Sequence, residues 1–548
     1  MLVFRDGRQA VNGPRLLKEL TTSLQQVSSV STPTRGSLID ALLRAGELEC
    51  ALADARDPAS APLAELTDAL AAGLVAGDGL QCHRLERTVC ALTIPETLTV
   101  SRPEGFAYYA LHPLDSAELA GSLAVRLGRI AVIGIRTIGT TLSAVVAAEA
   151  RKKGTTAERI TVRPTGHPWD RKLDFSPAER AWINRQGERQ ADFWVVDEGP
   201  GLSGSSFLAV AEALVNAGVP HERITLLGSA SPDVARLCAP DAAARWRRFR
   251  SYFTRPPWGV PAEAAVSVGG GAWRQVFLDG EDWPAVWPQF ERAKFLRADG
   301  KALFKFEGLG RVGTEVRQRS RSIADAGFGP GVGDEEDGYA RFEVIGGHAM
   351  TTAHVSTGVI ERIAAYCAWR AAAFAAEPRP TSELEHMIRT NAREGLSEDM
   401  DVPELQIERP VIADGKMHPH EWRLTPAGQL LKLDGASHGD DHFFPGPTDI
   451  AWDLAGAIVE WRLEPAATEF FLESYRGTSK DDARARLPGF LLAYALFRLG
   501  YCTMARESLR RTDEEMRFQR EANEYRVLSS QYRALTAKTG YSLMGTRY

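Results

Sequence analysis

The sequence predicts an α/β multidomain protein in which a doubly wound parallel sheet precedes a two-lobed α+β domain. The first observation is an alternation of helical patterns with short apolar runs, at 130–135, 160–162, 193–196 and 224–227. Strands that alternate with helices of about 10–15 residues are typical of a parallel sheet covered on both faces. The second is a hairpin pattern near 290–306, and the third is the helical spacing that dominates 356–396 and again from 450 onward.

Length and composition exclude several classes of protein. The 548 residues exceed what one hydrophobic core supports, and 44% hydrophobic with 25% charged residues is typical of globular domains. A net charge of −6 gives no reason to expect nucleic acid or an anionic membrane as a partner. The six cysteines form no Cys-x-x-Cys pair, and no run of about 18 apolar residues occurs. We expect a cytoplasmic protein with small-molecule partners and no membrane span, and an oligomer is left open.

Changes in composition divide the chain into five expected segments. Pro, Gly and Trp become frequent near 256–286, which indicates an exit from the parallel-sheet domain. The segments are a mixed helical part (1–95), the parallel-sheet domain (96–255), a linker (256–286), a small lobe (287–350) and a helical lobe (351–548). Within the second segment, residues 106–111 are predicted as a strand, and the last two segments are expected to form one unit.

A phosphate-binding pattern follows the apolar run at 193–196. The run ends in Asp197 and Glu198, and a loop rich in glycine and serine then leads directly into a helix, with Gly201, Ser203, Gly204, Ser205 and Ser206. Glycines let the backbone approach a ligand, and the start of a helix offers free N–H groups to an anion. Two acids at a strand tip can accept hydrogen bonds from a ribose diol. The pattern predicts a ribose-phosphate site.

These residues resemble the loop of type I phosphoribosyltransferases that holds phosphoribosyl pyrophosphate (PRPP), and the resemblance covers about 98–235. It extends to Gly134–Thr141, where that family has its pyrophosphate loop, and to Arg163–Lys172, where it has a mobile hood. The resemblance implies Mg²⁺ as cofactor and PRPP or a ribosyl phosphate as substrate. It implies catalytic roles for Asp197, Glu198, Arg136 and Lys172, and ribose-phosphate contacts from Thr137, Gly139, Gly201, Ser203, Gly204, Ser205 and Ser206.

Two alternatives to an active transferase stay open. A glycine-rich turn between strand and helix can be a tight connection only, and a degenerate domain can bind nucleotide without catalysis. The loop also departs from the family, because Gly199-Pro200-Gly201 makes it one residue longer. The departure affects the expected phosphate geometry more than the location of the site.

The second half carries separate motifs. Lys305 lies in an apolar strand, Glu315 follows at the start of the next helical pattern, and Leu430–Asp434 is a strand that ends in an acid. With Asp449–Ala455, these residues resemble the protein-kinase-like fold in its aminoglycoside/choline kinase branch, across about 287–500. The resemblance implies ATP binding through Lys305 and its ion-pair partner Glu315, and Mg²⁺ binding through Asp434.

The expected catalytic loop, Asp414–Glu421, departs from that family. Lys416 stands where the catalytic base is an aspartate, and Glu421 stands where the second metal ligand is an asparagine. Glu421 can still bind Mg²⁺ through a carboxylate oxygen, and Asp414 or His418 could replace the base. We therefore expect an ATP-binding domain and leave its phosphotransfer activity open.

Taken together, these patterns give two hypotheses. The first is a bifunctional enzyme of nucleotide or nucleoside metabolism, which combines Mg²⁺-dependent phosphoribosyl transfer with an ATP-binding kinase-like domain. The second is a nucleotide-sensing regulatory or stress-response protein with a degenerate kinase domain. The changed catalytic loop favours the second hypothesis, and the intact acid pair favours the first.

Overall fold

The computed structural model describes residues 1–29, 33–77, 83–125, 128–255, 258–280, 282–439 and 441–544. Side chains are described throughout these ranges except at 83–86, 335 and 537–544. The two largest sheets in the described chain have five strands each. One is parallel and lies in the first half, and the other is antiparallel and lies in the second half.

The first half alternates strands and helices in the order expected. Its elements are β1 (Arg8–Asn12), α1 (Gly13–Ser28), α2 (Arg35–Asp54), α3 (Ser60–Ala76), α4 (His83–Cys90), β2 (Thr97–Ser101), α5 (Glu104–Tyr108), α6 (Pro113–Ala124), β3 (Arg129–Ile135), α7 (Ile138–Lys152), β4 (Thr156–Val162), β5 (Thr165–His167), β6 (Asp170–Lys172), α8 (Pro177–Glu188), β7 (Asp192–Val196), α9 (Ser205–Asn216), β8 (Ile224–Gly228), α10 (Ala242–Trp246) and β9 (Arg250–Phe253). The four apolar runs predicted as strands are all strands of the parallel sheet.

The parallel sheet has the strand order β4-β3-β7-β8-β9 and is covered on both faces. Alternate residues of β3 separate the two faces, so that Ile130 and Val132 pack with α7 and the N-terminal helices, while Ala131 and Ile133 pack with α9. From β3 the chain crosses through α7 to β4, and from β7 it crosses through α9 to β8 on the other side. The carboxyl ends of β3 and β7 therefore form a switch point, where ligands bind in open α/β sheets.

The predicted strand at 106–111 is wrong, because residues 104–108 form the short helix α5. A short apolar run does not distinguish a buried strand from a buried helix. Pro103 precedes the helix, and the chain leaves it at Ala110, whose φ is +55°. The helix backbone reaches the second half, where the Phe106 carbonyl accepts the N–H of Leu309 (2.8 Å).

The second half consists of a β-rich lobe and a helical lobe. Its elements are β10 (Ala264–Ser267), α11 (Trp273–Phe277), β11 (Lys294–Arg297), β12 (Ala302–Phe306), α12 (Gly310–Asp325), β13 (Val332–Glu336), β14 (Tyr339–Glu343), β15 (His348–Ala349), α13 (Thr357–Ala373), α14 (Ser382–Leu396), β16 (Pro410–Ile412), β17 (Trp422–Leu424), β18 (Leu430–Lys432), β19 (Pro447–Asp449), α15 (Ala451–Glu460), α16 (Pro465–Ser479), α17 (Leu487–Ser508) and α18 (Asp513–Met544).

The antiparallel sheet of the small lobe has the order β10-β11-β12-β14-β13. Lys305 lies on its third strand along the chain, β12, and the helix α12 follows. The expected linker at 256–286 is corrected by this sheet, since β10 lies within it and pairs with β11 (Ser267 opposite Phe295). Gly269, Gly270 and Gly271 lie in the connection between β10 and α11.

Residues 1–95 do not form a unit of their own. Val3 is fully buried in the core of the helical lobe, and Phe4 forms a β-bridge with Phe443. The helices α2 and α3 instead pack on α7 and complete one face of the parallel sheet. The N-terminal segment thus spans both halves of the molecule.

Among the described helices, α17 is long and apolar enough by length and composition to cross a membrane. In this fold 78% of its apolar window is buried. It packs against α14, α15 and α18 in the core of the helical lobe.

Candidate functional site

The acid pair lies at the switch point, at the carboxyl end of β7. The Asp197 carboxylate accepts the N–H of Glu198 (Oδ1 to N, 2.8 Å) and the N–H of Gly139, from the start of α7. The Glu198 carboxylate accepts the N–H of Gly105, in α5. The geometry therefore brings together the acid pair and the loop after β3, as the sequence predicted. It adds α5, which the sequence analysis did not include.

Both carboxyl groups are half-buried and have no cation beside them among the described residues. Burial raises the pKa of Asp197 to about 7. Burial also raises the pKa of Glu198 to about 8, and the charges of Asp197 and Glu104 add to the effect. In the described part of the chain, no Lys or Arg nitrogen lies within 4.0 Å of either carboxylate. Hydrogen bonds from hydroxyl groups, or a bound cation, would strongly stabilise the charged form of such a pair.

The serine loop lies under the expected hood. Gly201 and Gly204 have φ of +56° and +70°, and Gly204 directly precedes α9, so the turn needs glycine at both positions. Ser203 and Ser205 donate their hydroxyls to the carbonyl of Pro168, at Oγ–O distances of 3.0 and 2.6 Å. Pro168 is at the tip of the β5–β6 hairpin, so the hood rests on the loop that it was expected to cover.

The arginines of the expected pyrophosphate loop are held by an acid that sequence reasoning missed. Arg136 Nη1 lies 2.9 Å from Asp54 Oδ1, and Arg136 Nη2 donates to the carbonyl of Thr161. Arg163 Nη2 lies 2.5 Å from Asp54 Oδ2 and also contacts Thr137 Oγ1 (3.4 Å). Asp54 is the last residue of α2, and no local pattern marks it as a site residue.

Lys172 behaves differently from its expected role. Its side chain is 69% exposed and pairs with Asp170 (2.8 Å), its neighbour in the hood hairpin. The catalytic role given to Lys172 therefore requires the hood to move. Arg163, which contacts Thr137 and the carbonyl of Arg136, is the cation that the structure places at the loop.

The second site is a cleft between the small lobe and the helical lobe. Its inner cavity is lined by Leu303, Lys305, Val344, Leu433 and Asp434, among others. A second, adjoining cavity shares Trp273, Lys294 and Asp434 with the first and extends to Lys416 and His418. Trp273 and Phe277 belong to α11, so the segment expected to be a linker provides part of the cleft wall.

Lys305 does not pair with Glu315, contrary to expectation. Its ammonium lies 2.6 Å from Asp434 Oδ1 and 3.1 Å from Glu307 Oε1. Glu315 instead faces Arg311 one helical turn away (3.5 Å). Glu307 follows β12 directly and is fully buried, where it also accepts the hydroxyl of Ser320 (2.8 Å). The acid that partners the lysine therefore comes from the end of its own strand.

Each of the two expected metal ligands of the cleft forms an ion pair with a lysine. Burial alone would raise the pKa of Glu421, but the ammonium of Lys432 outweighs it and lowers that pKa. Lys432 Nζ lies 2.8 Å from Glu421 Oε2 and 2.6 Å from the carbonyl of Asp434. Burial and Lys305 act in the same opposing way on Asp434, whose pKa falls well below its usual range. This arrangement does not fit the Mg²⁺ binding by Asp434 and Glu421 that the kinase resemblance implies.

The two candidate bases of the cleft have different environments. Asp414 is fully buried, accepts the hydroxyl of Tyr366 (2.5 Å) and lies 3.5 Å from Lys432, so it does not reach a substrate and that assignment is corrected. His418 lines the outer cavity, and its Nε2 lies 3.4 Å from Glu460 Oε2. Burial lowers the pKa of His418 well below its usual value, which leaves the ring neutral at physiological pH.

The two sites share the helix α5 as a wall. On one side, the N–H of Gly105 binds Glu198. On the other side, Tyr108 lines the outer cavity of the cleft, and the Tyr109 hydroxyl lies 3.1 Å from His442 Nε2. A β-carbon at position 105 would lie 2.6 Å from the Glu198 carboxyl group, so the close approach requires glycine there.

Comparisons with known proteins give structural matches only. No family model matches the chain, and no curated protein matches its sequence. Similar solved structures include a choline kinase from Cryptosporidium parvum (12% identity, TM-score 0.33, 48% of this chain and 89% of that chain). They also include a choline/ethanolamine kinase family protein from Mesorhizobium loti (15%, 0.32, 47% and 90%) and choline kinase LicA from Streptococcus pneumoniae (15%, 0.31, 45% and 92%).

Proposed function

We propose that this chain is a bifunctional protein of nucleotide or nucleoside metabolism. The first half binds PRPP or a related ribosyl phosphate and transfers its ribosyl group, and the second half binds ATP in the cleft. One observation carries the proposal for the first half: two half-buried carboxyl groups, with no lysine or arginine nitrogen of the described residues within 4.0 Å, lie beside a Gly/Ser-rich helix start at the switch point of a parallel sheet.

The reaction proposed at this site is displacement at the anomeric carbon. The bond from that carbon to a pyrophosphate oxygen breaks, its electron pair leaves with pyrophosphate, and a nucleophile donates the pair for the new bond. Asp197 and Glu198 hold the ribose hydroxyls, while backbone N–H groups at the start of α9 hold the 5′-phosphate. A magnesium ion bound with the pyrophosphate supplies positive charge, and the cation-free carboxyl pair fits such an ion. Arg136 and Arg163 stabilise the departing anion once Asp54 releases them.

Nucleotide binding in the cleft is proposed from its lining. Apolar side chains of Leu303, Val344 and Leu433 line the inner cavity, and Lys305 lines it as well. An adenine fits between apolar walls, and the ammonium fits a phosphate. If the cleft transfers phosphate, we assign the base to His418, because its Nε2 lies 3.4 Å from Glu460 Oε2 and its Nδ1 has no hydrogen-bond partner in the described structure.

The experiment for the first half is single-turnover incubation with PRPP and Mg²⁺, with pyrophosphate release as the readout. We expect release in the wild type and at least about a hundredfold loss in the Asp197→Asn/Glu198→Gln double variant, since two charge-assisted hydrogen bonds are removed. Asp192→Asn, at the opposite end of the same strand, is the matched control. Equal release from all three proteins would reject the assignment of the acid pair.

A second candidate function is a nucleotide sensor, and the shared wall α5 favours it. Occupancy of one site can reach the other through Gly105 and Tyr108, which lie in the same short helix. A sensor binds PRPP but releases no pyrophosphate from it, whichever acceptor is added. Its affinity for PRPP changes when ADP is bound. Release of pyrophosphate with affinities that are independent of ADP would exclude the sensor.

A further inference from the structure

The feature that carries a new inference is the buried lysine Lys432, two residues before Asp434 in β18. Its side chain is fully buried, and its ammonium is within 3.5 Å of three oxygen atoms, on Glu421, Asp414 and the Asp434 backbone. An ammonium is a compact point charge with three donors. The contacts with Glu421 and with the Asp434 carbonyl are hydrogen bonds, and the contact with Asp414 is an ion pair.

These contacts place Lys432 among the groups that were expected to bind Mg²⁺, Asp434 and Glu421. Glu421 is the residue at the position of the second metal ligand, and its Oε2 is occupied by the lysine at 2.8 Å. Removing either partner of such a buried pair leaves an uncompensated charge, so the lysine cannot be displaced at little cost. A divalent ion next to Glu421 would also be repelled by the ammonium at this range.

We propose that Lys432 takes the place of a metal ion at Glu421, so that the cleft binds the phosphates of a nucleoside di- or triphosphate without a divalent cation there. This inference rests on the proposed nucleotide site. Lys305 and Lys416 supply further positive charge in the cleft, and Lys416, the residue at the usual base position, forms no ion pair within the described residues. The ligand class is therefore a free nucleotide rather than its magnesium complex.

The test measures ADP affinity by isothermal titration in EDTA and in millimolar Mg²⁺. The wild type is expected to bind ADP with affinities that agree within about twofold in the two conditions. Lys432→Met keeps the length of the side chain and frees Glu421, so its ADP affinity is expected to rise about tenfold or more when Mg²⁺ is added. A wild-type affinity that rises tenfold with Mg²⁺ overturns the inference.

Two further variants control for folding and for nonspecific charge effects. Lys432→Met/Glu421→Gln removes both charges, so it is expected to fold and to bind ADP independently of Mg²⁺. Lys416→Met removes a positive charge from the same cleft without touching Glu421, and it is expected to stay independent of Mg²⁺. A Mg²⁺ response in Lys416→Met equal to that of Lys432→Met would contradict the role given to Lys432.

A separate readout distinguishes this inference from the proposed function. Mn²⁺ titration of the nucleotide-free proteins, followed by electron paramagnetic resonance, is expected to show one additional bound ion in Lys432→Met over wild type. If ADP fails to bind in any condition, the nucleotide site is rejected, and the Mn²⁺ result still decides on Lys432. An additional ion in Lys432→Met supports the inference, and equal Mn²⁺ binding by the two proteins overturns it.

Discussion

The pKa values of the carboxyl groups are shifted in opposite directions at the two candidate sites. At the switch point, burial without a nearby cation raises the pKa of Asp197 and Glu198 to about 7 and about 8. In the cleft, Lys432 and Lys305 lower the pKa of Glu421 and Asp434 despite their burial. The first pair gains from a ligand that brings hydroxyls or a cation, whereas the second pair is already neutralised. An acid at a motif position therefore says little about metal binding until its buried neighbours are known.

The largest expected effect is a loss of protein stability when Lys305, in the cleft, is replaced. Lys305→Met leaves Asp434 and Glu307 without their shared ammonium, and removal of one partner of a buried pair costs about 3–5 kcal/mol. We expect that loss in the free energy of unfolding, measured with urea, together with loss of ADP binding. Lys301→Met changes an exposed lysine of the same hairpin and is expected to change neither. Unaltered stability in Lys305→Met would mean that the cleft acids are not neutralised as described.

Removal of the charge of Asp197, at the switch point, is expected to increase protein stability, whereas Lys305→Met decreases it. The folded-state pKa of Asp197, about 7, lies above the unfolded value, so the ligand-free protein loses stability as pH rises from about 4 to 7. Each unit of difference corresponds to about 1.4 kcal/mol. The stability of Asp197→Asn relative to wild type should therefore rise over this window and level off above it. Asp174→Asn, at an exposed site, is the control, and a difference independent of pH would contradict the effect.

A smaller effect is expected at the hood. Ser205→Ala removes the hydroxyl that lies 2.6 Å from the Pro168 carbonyl, at a net cost of about 1 kcal/mol. We expect faster amide hydrogen exchange in the β5–β6 hairpin. Ser206→Ala is the matched control, because the neighbouring hydroxyl makes no hydrogen bond to Pro168 among those described. Equal exchange rates in the two variants would show that the hood is held by other contacts.

The smallest effect concerns the shared wall. Glu104→Gln removes one of the negative charges that raise the pKa of Glu198. The pKa of Glu198, followed by carboxyl-carbon NMR, is expected to fall by less than about one unit, because burial is the larger cause. Glu96→Gln, before β2, serves as the control. A rise in the pKa of Glu198 would contradict the placement of Glu104.

The sequence predicts the elements that have strong periodicity and predicts contacts between distant segments poorly. The runs at 130–135 and 193–196 are recognisable because strands of a parallel sheet are apolar on both faces. The acid pair and its helix start follow directly in the chain, so local reasoning locates them. Asp54 and Lys432 were missed for different reasons. Asp54 reaches Arg163 only through the packing of α2. Lys432 lies in a motif that predicts Asp434 alone as a site residue.

The error at Glu315 has a similar physical origin. Its position at the start of the helix after Lys305 matches the resemblance, but α12 turns Ser320 toward Glu307 and leaves Glu315 beside Arg311. The rotation of a helix about its axis is set by tertiary packing. The sequence-based expectation for 256–286 failed because irregular composition says nothing about whether a segment is covered by other elements.

The packing of Val3 and Phe4 on the helical lobe has a consequence for cooperativity. These residues precede the elements of the first half along the chain, yet Val3 is buried in the core of the second half and Phe4 packs against that core. A chain cut between β9 and β10 would carry them away on the wrong fragment and leave an apolar hole, which costs about 2–5 kcal/mol for one large side chain. The two halves are therefore expected to unfold in a single calorimetric transition rather than as independent domains.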